Sequence, residues 1–411
     1  MALGTVVVAG AGQGAFQLAA SLRQEGFDGR VVIVGDEVEP PYQRPPLSKA
    51  FLMGNTAAGD LAFRPEAFYR DNRVELILGE RVTGIDRAAR RIALGSGGTL
   101  AFDHLVLAVG ARNRPLPVEG ADLDGVFFLR TLADAERLKA RIDSVGEAVV
   151  VGAGFIGLEF AAVAAKRGIK VTVLEVAPRV MARAVCQPIS DAFDVAHRAM
   201  GVDLRYGVGA ARLLGEAGHV VAVETTTGER LGADLVVVGI GVLANDELAA
   251  EAGLATAGGI LVDEVLTTAD PGISAIGDCV VHPSRFTDRP VRIESVQNAV
   301  DQAKAVAARL VGKGGAPYAA VPWFWSDQGA HKLQIAGLTA GADETAVRGE
   351  VAGMRFSVFL FRGGRLIGVE SVNRPGDHMA ARRLLSGAAT LTPAEAADES
   401  FDLKALVGRP S

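Results

Sequence analysis

The chain carries two copies of one pattern, in which an apolar run leads into a glycine turn, a helical stretch and a second apolar run ending at an acid. The first turn is Gly10-Ala11-Gly12-Gln13-Gly14-Ala15, and its acid is Asp36. The second turn is Gly152-Ala153-Gly154-Phe155-Ile156-Gly157, and its acid is Glu175. A glycine turn that opens a helix presents unpaired N–H groups and the positive end of the helix dipole, which favour a pyrophosphate. Two such units predict two dinucleotide-binding sites.

The spacing within each copy supports this interpretation. Asp36 follows Gly10 by 26 positions and Glu175 follows Gly152 by 23, near the expected offset of about 20. A carboxylate at that position accepts hydrogen bonds from an adenosine ribose. Ala15 replaces the third glycine of the first copy, which the pattern tolerates because this residue only sets how closely the helix packs. The alternative for each copy is a glycine turn that serves tight packing only.

Composition excludes several classes of protein. A chain of 411 residues is long enough for two or three domains. The formal charge of −6 argues against a nucleic-acid partner, which would favour a basic face. No run of residues has the length of a membrane span, and the N-terminus lacks a basic leader. We therefore expect no membrane partner and a cytoplasmic location.

Redox-active side chains are also scarce. The two cysteines, Cys186 and Cys279, lie far apart, which excludes a C-x-x-C pair and leaves too few thiolates for an iron–sulfur cluster. The six histidines show no metal-ligand spacing, so no metal is expected. Redox chemistry in this chain would therefore depend on an organic cofactor.

Further motifs point to one family. They are PPYQRPPLSK (40–49), GAGFIGLE (152–159), IGD (276–278), ESVQNA (294–299) and PWFWSDQ (322–328). Together they resemble the pyridine-nucleotide flavoprotein reductases of the glutathione reductase fold, and within them the ferredoxin reductases typified by putidaredoxin reductase. The resemblance covers essentially the whole chain, and the first and last motifs are its most specific parts.

The resemblance implies an α/β fold with two Rossmann-like dinucleotide-binding domains and a C-terminal α+β domain. Buried strands at 105–109 and 235–238 mark where the chain crosses between the first two domains. We expect an FAD-binding domain made of residues 1–110 and 244–320, an NAD-binding domain at 111–243, and a C-terminal domain at 321–411. The cofactors implied are FAD and NADH.

The resemblance also implies which residues bind the cofactors. Besides the two turns and their acids, these are Arg44, Lys49, Val82, Arg130, Gly241, Asp278, Glu294, Ser295, Val296 and Trp325. Val82 could equally be an ordinary core valine, and Arg130 a solvated surface residue. Asp278 has a clear physical role, because its carboxylate can accept a hydrogen bond from the ribityl chain.

Lys49 and Glu159 are the expected catalytic pair. Lys49 would stabilise negative charge on the reduced flavin, and Glu159 matches a family glutamate near the site of hydride transfer that pairs with such a lysine. The alternative for Glu159 is a first-turn glutamate favoured only by the helix dipole. Glu175 favours NADH, because a carboxylate there repels a 2′-phosphate. Arg179 and Arg183 follow closely and leave NADPH open.

Since the chain lacks a redox cysteine pair, the flavin would divide the two electrons of the hydride between single-electron steps. The resemblance implies that the acceptor is a two-iron two-sulfur ferredoxin supplying an oxygenase, most often a cytochrome monooxygenase. Trp325 is the expected docking residue, on the opposite strand face from a core Trp323. Basic candidates for steering an acidic ferredoxin are Arg44, Lys332, Arg374 and Arg383. A monomer is expected.

Three alternatives use the same fold. An NADH oxidase or peroxidase often has a single cysteine near the FAD, yet no cysteine precedes Cys186. A redox-sensing NADH-binding flavoprotein resembling apoptosis-inducing factor would favour a long basic surface and targeting segments, which the sequence does not show. A disulfide reductase fits least, for want of the cysteine pair.

Overall fold

The computed structural model describes residues 3–387 and 389–407 of the chain. These residues form two compact units. The first unit comprises the residues up to Gln43, Gly59–Arg112 and Leu243–Pro322. The second unit comprises Arg44–Ala58, Asn113–Val242 and the residues from Trp323 onward. The division into three domains stays a prediction.

The described strands follow in chain order. The first are β1 (Thr5–Ala9), β2 (Arg30–Val34), β3 (Val74–Ile77), β4 (Val82–Asp86), β5 (Arg91–Leu94), β6 (Thr99–Ala101), β7 (His104–Leu107) and β8 (Ala111–Asn113). The next are β9 (Val126–Phe128), β10 (Glu147–Val151), β11 (Lys170–Glu175), β12 (Asp203–Tyr206), β13 (Ala210–Glu216), β14 (His219–Thr225), β15 (Arg230–Gly232) and β16 (Leu235–Val238). The last are β17 (Val242–Ala244), β18 (Ile260–Leu261), β19 (Ile273–Ala275), β20 (Val280–His282), β21 (Val291–Arg292), β22 (Trp323–Gln328), β23 (His331–Gly337), β24 (Glu344–Glu350), β25 (Arg355–Arg362) and β26 (Arg365–Val372).

The described helices lie between these strands and after them. They are α1 (Gln13–Gln24), α2 (Glu66–Asp71), α3 (Leu132–Ile142), α4 (Phe155–Lys166), α5 (Gln187–Ala199), α6 (Glu247–Glu251), α7 (Val296–Leu310), α8 (Pro375–Ser386), α9 (Pro393–Ala397) and α10 (Leu403–Val407). Short 3-10 turns cover Pro45–Ser48, Ala58–Leu61 and Gly277–Cys279. In the part of the chain that the structure describes, no helix is both long and apolar enough to cross a membrane.

A parallel five-stranded sheet forms the centre of the first unit. Its order is β19-β7-β1-β2-β3, with Val7 opposite Val32 on one side and Leu105 on the other. All residues from Val6 to Ala9 are fully buried. An apolar run without alternation is typical of a parallel strand covered on both faces. Because parallel strands end at one edge, the segments after β1, β2 and β19 lie along the same edge of this sheet.

A second parallel sheet, of the same kind, forms the first part of the second unit. Its order is β12-β11-β10-β16-β9, with Val150 opposite Val173 and Val237. The duplicated sequence pattern therefore folds as two copies of one strand, turn and helix arrangement. The predicted α/β class is confirmed.

The C-terminal part of the second unit is an antiparallel sheet followed by helices, as the sequence predicts. The strand order is β22-β23-β26-β25-β24, and α8 packs on β26 and β23. Phe359 and Phe361 of β25 are fully buried in the core between the sheet and these helices.

The expectation that Trp323 and Trp325 point to opposite faces of their strand is wrong. The two rings lie side by side, with centroids 5.6 Å apart. The reason is that side chains alternate with a period of two, so residues two apart share a face. The guanidinium of Arg382 lies 4.6 Å from the centre of the Trp323 ring. The opposite face of β22 carries Phe324, Ser326 and Gln328.

Arg348 of β24 holds the C-terminal segment to this sheet. Its side chain is buried, and its guanidinium donates hydrogen bonds to the main-chain oxygens of Asp398, Glu399 at 3.1 Å and Phe401 at 3.0 Å. The Arg348 guanidinium therefore provides hydrogen-bond donors for carbonyl groups of residues that follow α9 and lie outside the helix.

We expect Arg348→Leu to lower the free energy of unfolding by about 3 kcal/mol, because it leaves buried carbonyl oxygens without a donor. Urea unfolding followed by fluorescence measures the change, and limited proteolysis should cut first near residue 398. The control is Arg365→Leu at an exposed position of β26, expected to stay within about 0.5 kcal/mol. Equal unfolding midpoints for the two variants would contradict this role of Arg348.

Candidate functional site

The first glycine turn leaves a helix N-terminus open. Gly10 has φ 105°, and a Cβ there would stand 2.3 Å from the Ala108 carbonyl oxygen, so only glycine fits. Gly12 is the N-cap of α1 in an extended conformation, and no side chain caps the helix. A Cβ on Gly12 would meet no atom within 4 Å. The first-turn N–H groups of α1 therefore face free space suited to a pyrophosphate.

The helix that follows packs closely on the first sheet. A Cβ on Gly14 would stand 3.2 Å from the Ile276 side chain, and Ala15 is fully buried. Gln13 is the first residue of α1. Small residues at these positions bring the helix N-terminus to the strand ends, as the pattern requires.

Two carboxylates lie along the same edge of the first sheet. Asp36 follows β2; its side chain is 54% exposed and accepts a hydrogen bond from Arg81 at 2.7 Å. Asp278 lies in the 3-10 turn after β19, where the Gly277 N–H donates to Gln302 Oε1 at 2.7 Å. The sequence predicted both acids, and the structure brings them to the edge that carries the first turn.

The remaining first-unit residues lie at the start of α7 and β4. Ser295 is the N-cap of α7, and its hydroxyl accepts from the Asn298 N–H at 3.0 Å. Val296 is the first helical residue, and Glu294 pairs with Arg292 at 2.5 Å. Val82 begins β4 and packs partly buried on the core of this unit. Ser295 thus has a structural role whether or not it contacts a cofactor.

The second glycine turn repeats the geometry of the first. Gly152 has φ 103°, and a Cβ on it would stand 2.6 Å from the Gly239 carbonyl oxygen. Gly154 is the extended N-cap of α4 and has no side-chain cap. Phe155 and Ile156 open the helix. A Cβ on Gly157 would stand 2.2 Å from the Gly152 oxygen, so this position tolerates no side chain without a shift of the turn.

Glu175 bends back over this turn. Its Oε2 accepts from the Ala153 N–H at 2.7 Å, and its Oε1 accepts from the Ala177 N–H at 2.8 Å. A carboxylate has about four acceptor sites, so roughly two remain for ribose hydroxyls. Gly241, with φ 100°, follows β16 at the same sheet edge, and a Cβ there would stand 3.7 Å from the Arg183 guanidinium.

Arg44 and Arg130 also come together in the second unit. The Arg44 guanidinium donates to the main-chain oxygen of Arg130 at 2.8 Å. The Arg130 N–H in turn donates to Asp134 at 3.2 Å, next to the Thr131 N-cap of α3. The structure therefore places these two predicted residues side by side, far apart as they are in sequence.

Glu159 is the centre of a buried polar cluster in the second unit. Its side chain is 2% exposed, and the Lys49 ammonium lies 2.6 Å from Oε2. The Ser48 hydroxyl donates to the same oxygen at 2.5 Å, and the Ser326 hydroxyl donates to Oε1 at 2.8 Å. The predicted pairing of Lys49 with Glu159 is confirmed. The Lys49 side chain is 20% exposed, so its ammonium group is held by Glu159 and stays partly accessible.

Neither cysteine is placed for redox chemistry. Both are free thiols, and Cys279 is fully buried. Burial raises the pKa of the Cys279 thiol to about 12 and also raises that of Cys186. A thiol with a raised pKa is a poor nucleophile. Within the described residues, no group of three or more His, Cys, Asp or Glu side chains could hold a metal ion.

The predicted docking residues have unequal surroundings. Trp325 is partly exposed in β22, and Lys332 and Arg383 are exposed. Arg374 pairs with Asp377 at 2.8 Å and Glu399 at 2.5 Å. Its charge is largely compensated by these carboxylates, so it contributes less to a basic surface than the other cations.

The sequence profile of the pyridine nucleotide-disulphide oxidoreductase family matches residues 4–303, which contain both glycine turns. The chain belongs to this family. A second profile, of the reductase C-terminal domain, matches residues 323–407 of this oxidoreductase. This oxidoreductase is a ferredoxin reductase that uses FAD and a pyridine nucleotide as cofactors.

Relatives of this oxidoreductase match over nearly their whole length. Rhodocoxin reductase from Rhodococcus erythropolis is 51% identical over 98% of this chain and 95% of its own. The crystal structure of the ferredoxin reductase for the CYP199A2 system from Rhodopseudomonas palustris has a TM-score of 0.95 at 51% identity, covering 98% of this chain and 100% of that one. The crystal structure of putidaredoxin reductase in its covalent complex with putidaredoxin has a TM-score of 0.96 at 40% identity, covering 99% of each chain.

Sequence reasoning missed several residues of the site. Ser48 and Ser326 lie within the two most specific motifs, yet nothing in the motifs shows that their hydroxyls converge on Glu159. Val38 and Val176 follow the two acids and are 73% and 74% exposed. A valine one or two positions after the acid of each copy is a shared feature that the sequence duplication could have revealed.

We expect Gly157→Ala to weaken NADH binding by this oxidoreductase about tenfold or more, because the added Cβ displaces the turn that would hold the pyrophosphate. The FAD content should stay unchanged, since Gly157 belongs to the second glycine turn and not to the first, which would hold the FAD pyrophosphate. Flavin bleaching at varied NADH concentration measures the binding. The control is Gly376→Ala, where a Cβ meets nothing within 4 Å. An unchanged dependence on NADH would contradict a cofactor role for this turn.

Proposed function

We propose that this oxidoreductase carries electrons from NADH through FAD, one at a time, to a two-iron two-sulfur ferredoxin that supplies an oxygenase, most often a cytochrome monooxygenase. Two observations together carry the proposal. Both glycine turns lead into a helix with no side-chain cap, and the sequence has no redox-active C-x-x-C pair. When bound, FAD takes up a hydride from the nicotinamide and releases its electrons singly.

The first turn, Asp36, Asp278 and the start of α7 would hold FAD from the first unit. Arg44, Lys49, Arg130 and Trp325 are the further FAD-binding residues that the family resemblance implies. Lys49 would provide a fixed positive charge where negative charge develops, while Glu159 keeps the ammonium in place. The second turn, with Gly241 and Glu175, would hold the pyridine nucleotide.

Glu175 supports NADH over NADPH. The carboxylate lies over the second turn with acceptor capacity to spare, so it would receive ribose hydroxyls and repel a 2′-phosphate. The nearest cations in sequence do not cancel this charge by direct contact: Arg179 donates to the Ala182 carbonyl oxygen at 2.9 Å.

We expect Glu175→Gln to reduce the ratio of kcat/KM for NADH to kcat/KM for NADPH about tenfold, because the repulsion of the 2′-phosphate is lost. Steady-state reduction of a dye acceptor with each nucleotide measures the ratio. Glu216→Gln removes an exposed carboxylate elsewhere in the second unit and serves as the control. A ratio equal in both variants would exclude Glu175 as the discriminating residue.

The electron acceptor is proposed from the relatives and from the surface of β22. One relative is crystallised in a covalent complex with putidaredoxin, and another is the ferredoxin reductase for the CYP199A2 system. The aromatic pair Trp323 and Trp325, with Arg382 over one ring, offers an aromatic and basic surface for an acidic ferredoxin. We further propose a cytoplasmic monomer that has neither nucleic acid nor membrane as partner; light scattering after size exclusion tests the monomer.

The test of the function is anaerobic stopped-flow absorbance of the FAD-loaded protein. We expect NADH to bleach the flavin rapidly and an oxidised two-iron ferredoxin to restore its absorbance within the turnover time. Bleaching that leaves a long-lived charge-transfer band, with no reoxidation by any ferredoxin, would refute the proposal and favour a redox sensor. Fast reoxidation by oxygen alone would instead favour an NADH oxidase.

A further inference from the structure

A chain of buried hydrogen bonds runs from Glu159 in α4 to His197 in α5. The Ser326 hydroxyl donates to Glu159 Oε1 at 2.8 Å, and Gln328 Nε2 lies 3.2 Å from Ser326 Oγ. Gln328 Oε1 lies 2.8 Å from His197 Nε2. Ser326, Gln328 and His197 are all fully buried. The chain joins α4, β22 and α5.

The charge of Glu159 fixes the direction of every bond in this chain. A carboxylate only accepts, so the Ser326 hydrogen points to Glu159. Ser326 Oγ must then accept from its other neighbour, which places the amide nitrogen of Gln328 toward it. The amide oxygen of Gln328 therefore faces His197, and His197 must donate through Nε2. All three donors point toward Glu159.

The histidine end of the chain is consistent with a neutral ring. Burial lowers the pKa of His197, and its Nδ1 has no hydrogen-bond partner among the described residues. The Nε2–H tautomer leaves Nδ1 without a proton, which avoids burying an unsatisfied donor. Gln328 Nε2 also lies 3.5 Å from the Met181 sulfur, which further fixes the orientation of its amide.

The chain acts on one oxygen of a carboxylate whose other oxygen holds Lys49. Oε2 accepts from Lys49 and from Ser48, whereas Oε1 accepts from Ser326. Fixing Oε1 stops rotation of the carboxylate plane, and this in turn fixes the direction in which Oε2 holds the ammonium. A hydrogen bond to a charged group is stronger than one between neutral groups, so it sets the position of the side chain.

We propose that Ser326, Gln328 and His197 are positioning residues, which orient the Glu159 carboxylate and through it the Lys49 ammonium for hydride transfer. This inference rests on the proposed function of the Lys49–Glu159 pair. Only Ser326 contacts Glu159, and none of the three residues contacts Lys49. They therefore act through Glu159 and contribute no group to the reaction.

The first test is a measurement on the wild-type protein, and a variant serves only to assign its signals. In ¹⁵N NMR of full-length, FAD-loaded protein labelled at histidine, the His197 ring should carry its hydrogen on Nε2, with Nδ1 at the shift of an unprotonated nitrogen. The loss of these signals in His197→Gln gives the assignment. A ring protonated at Nδ1 would overturn the inference, because the chain could not then run toward Glu159.

The second test compares variants by the rate of flavin bleaching with NADH and by the same NMR signals. We expect Ser326→Ala to slow bleaching about tenfold and to shift the His197 signals, since the Gln328 amide loses its fixed orientation. Ser326→Thr keeps the hydroxyl and should recover most of the rate. His197→Gln keeps an N–H donor and should be faster than His197→Leu.

The matched control is Ser357→Ala in the same sheet. Ser357 is fully buried; its hydroxyl donates to Asp377 at 3.0 Å and lies 2.9 Å from the Ser371 hydroxyl, from which it accepts. The Ser357→Ala variant therefore loses equivalent hydrogen bonds away from Glu159. It should change neither the bleaching rate nor the His197 signals. Equal rates and signals in Ser326→Ala and the wild type would overturn the inference while the wild type stays active. A wild-type flavin that NADH does not bleach would instead refute the proposed function.

Discussion

The burial of the Glu159 carboxylate is the constraint on which the second unit depends. A carboxylate taken out of water costs several kcal/mol unless donors and a cation compensate for the lost hydration. Here the compensating groups come from distant parts of the sequence: Ser48 and Lys49 follow one another in a 3-10 turn and its end, and Ser326 lies in β22. These bonds connect the short segment Arg44–Ala58 and strand β22 to α4, and all three belong to the same compact unit.

The two glycine turns share one backbone arrangement but differ in the contacts of the acid that follows. Both place a glycine with φ near 104° against the backbone of a neighbouring strand, and both leave the following helix without a side-chain cap. The acids differ by one methylene. The longer Glu175 reaches back to the N–H of Ala153, whereas Asp36 pairs outward with Arg81. The second turn is thus stabilised by its own acid, and the first depends on the strand contacts of Gly10.

The sequence predicted what depends on local pattern. Glycine turns, buried strands and terminal acids follow short rules of spacing, so both sheets and the carboxylates at their edges were predictable, and the pairing of Lys49 with Glu159 followed from the family resemblance. The roles of Ser48 and Ser326 were not predictable, because their hydroxyls meet Glu159 only through the register and packing of distant segments. The faces of Trp323 and Trp325 were predictable and were misjudged, since a strand has a period of two.

The same period gives β22 two different faces. Its aromatic face carries both tryptophans, while Phe324, Ser326 and Gln328 face α4 and α5, where Phe324 packs against Phe155 with ring centroids 4.6 Å apart. An apolar residue in place of Ser326 or Gln328 would ordinarily suit such a buried position. It would not suit this one, because a charged acceptor at one end of the chain makes each partner necessary to the next, and removing one leaves a buried polar group unsatisfied. The polar residues on this face of β22 are therefore a consequence of burying the Glu159 carboxylate next to Lys49.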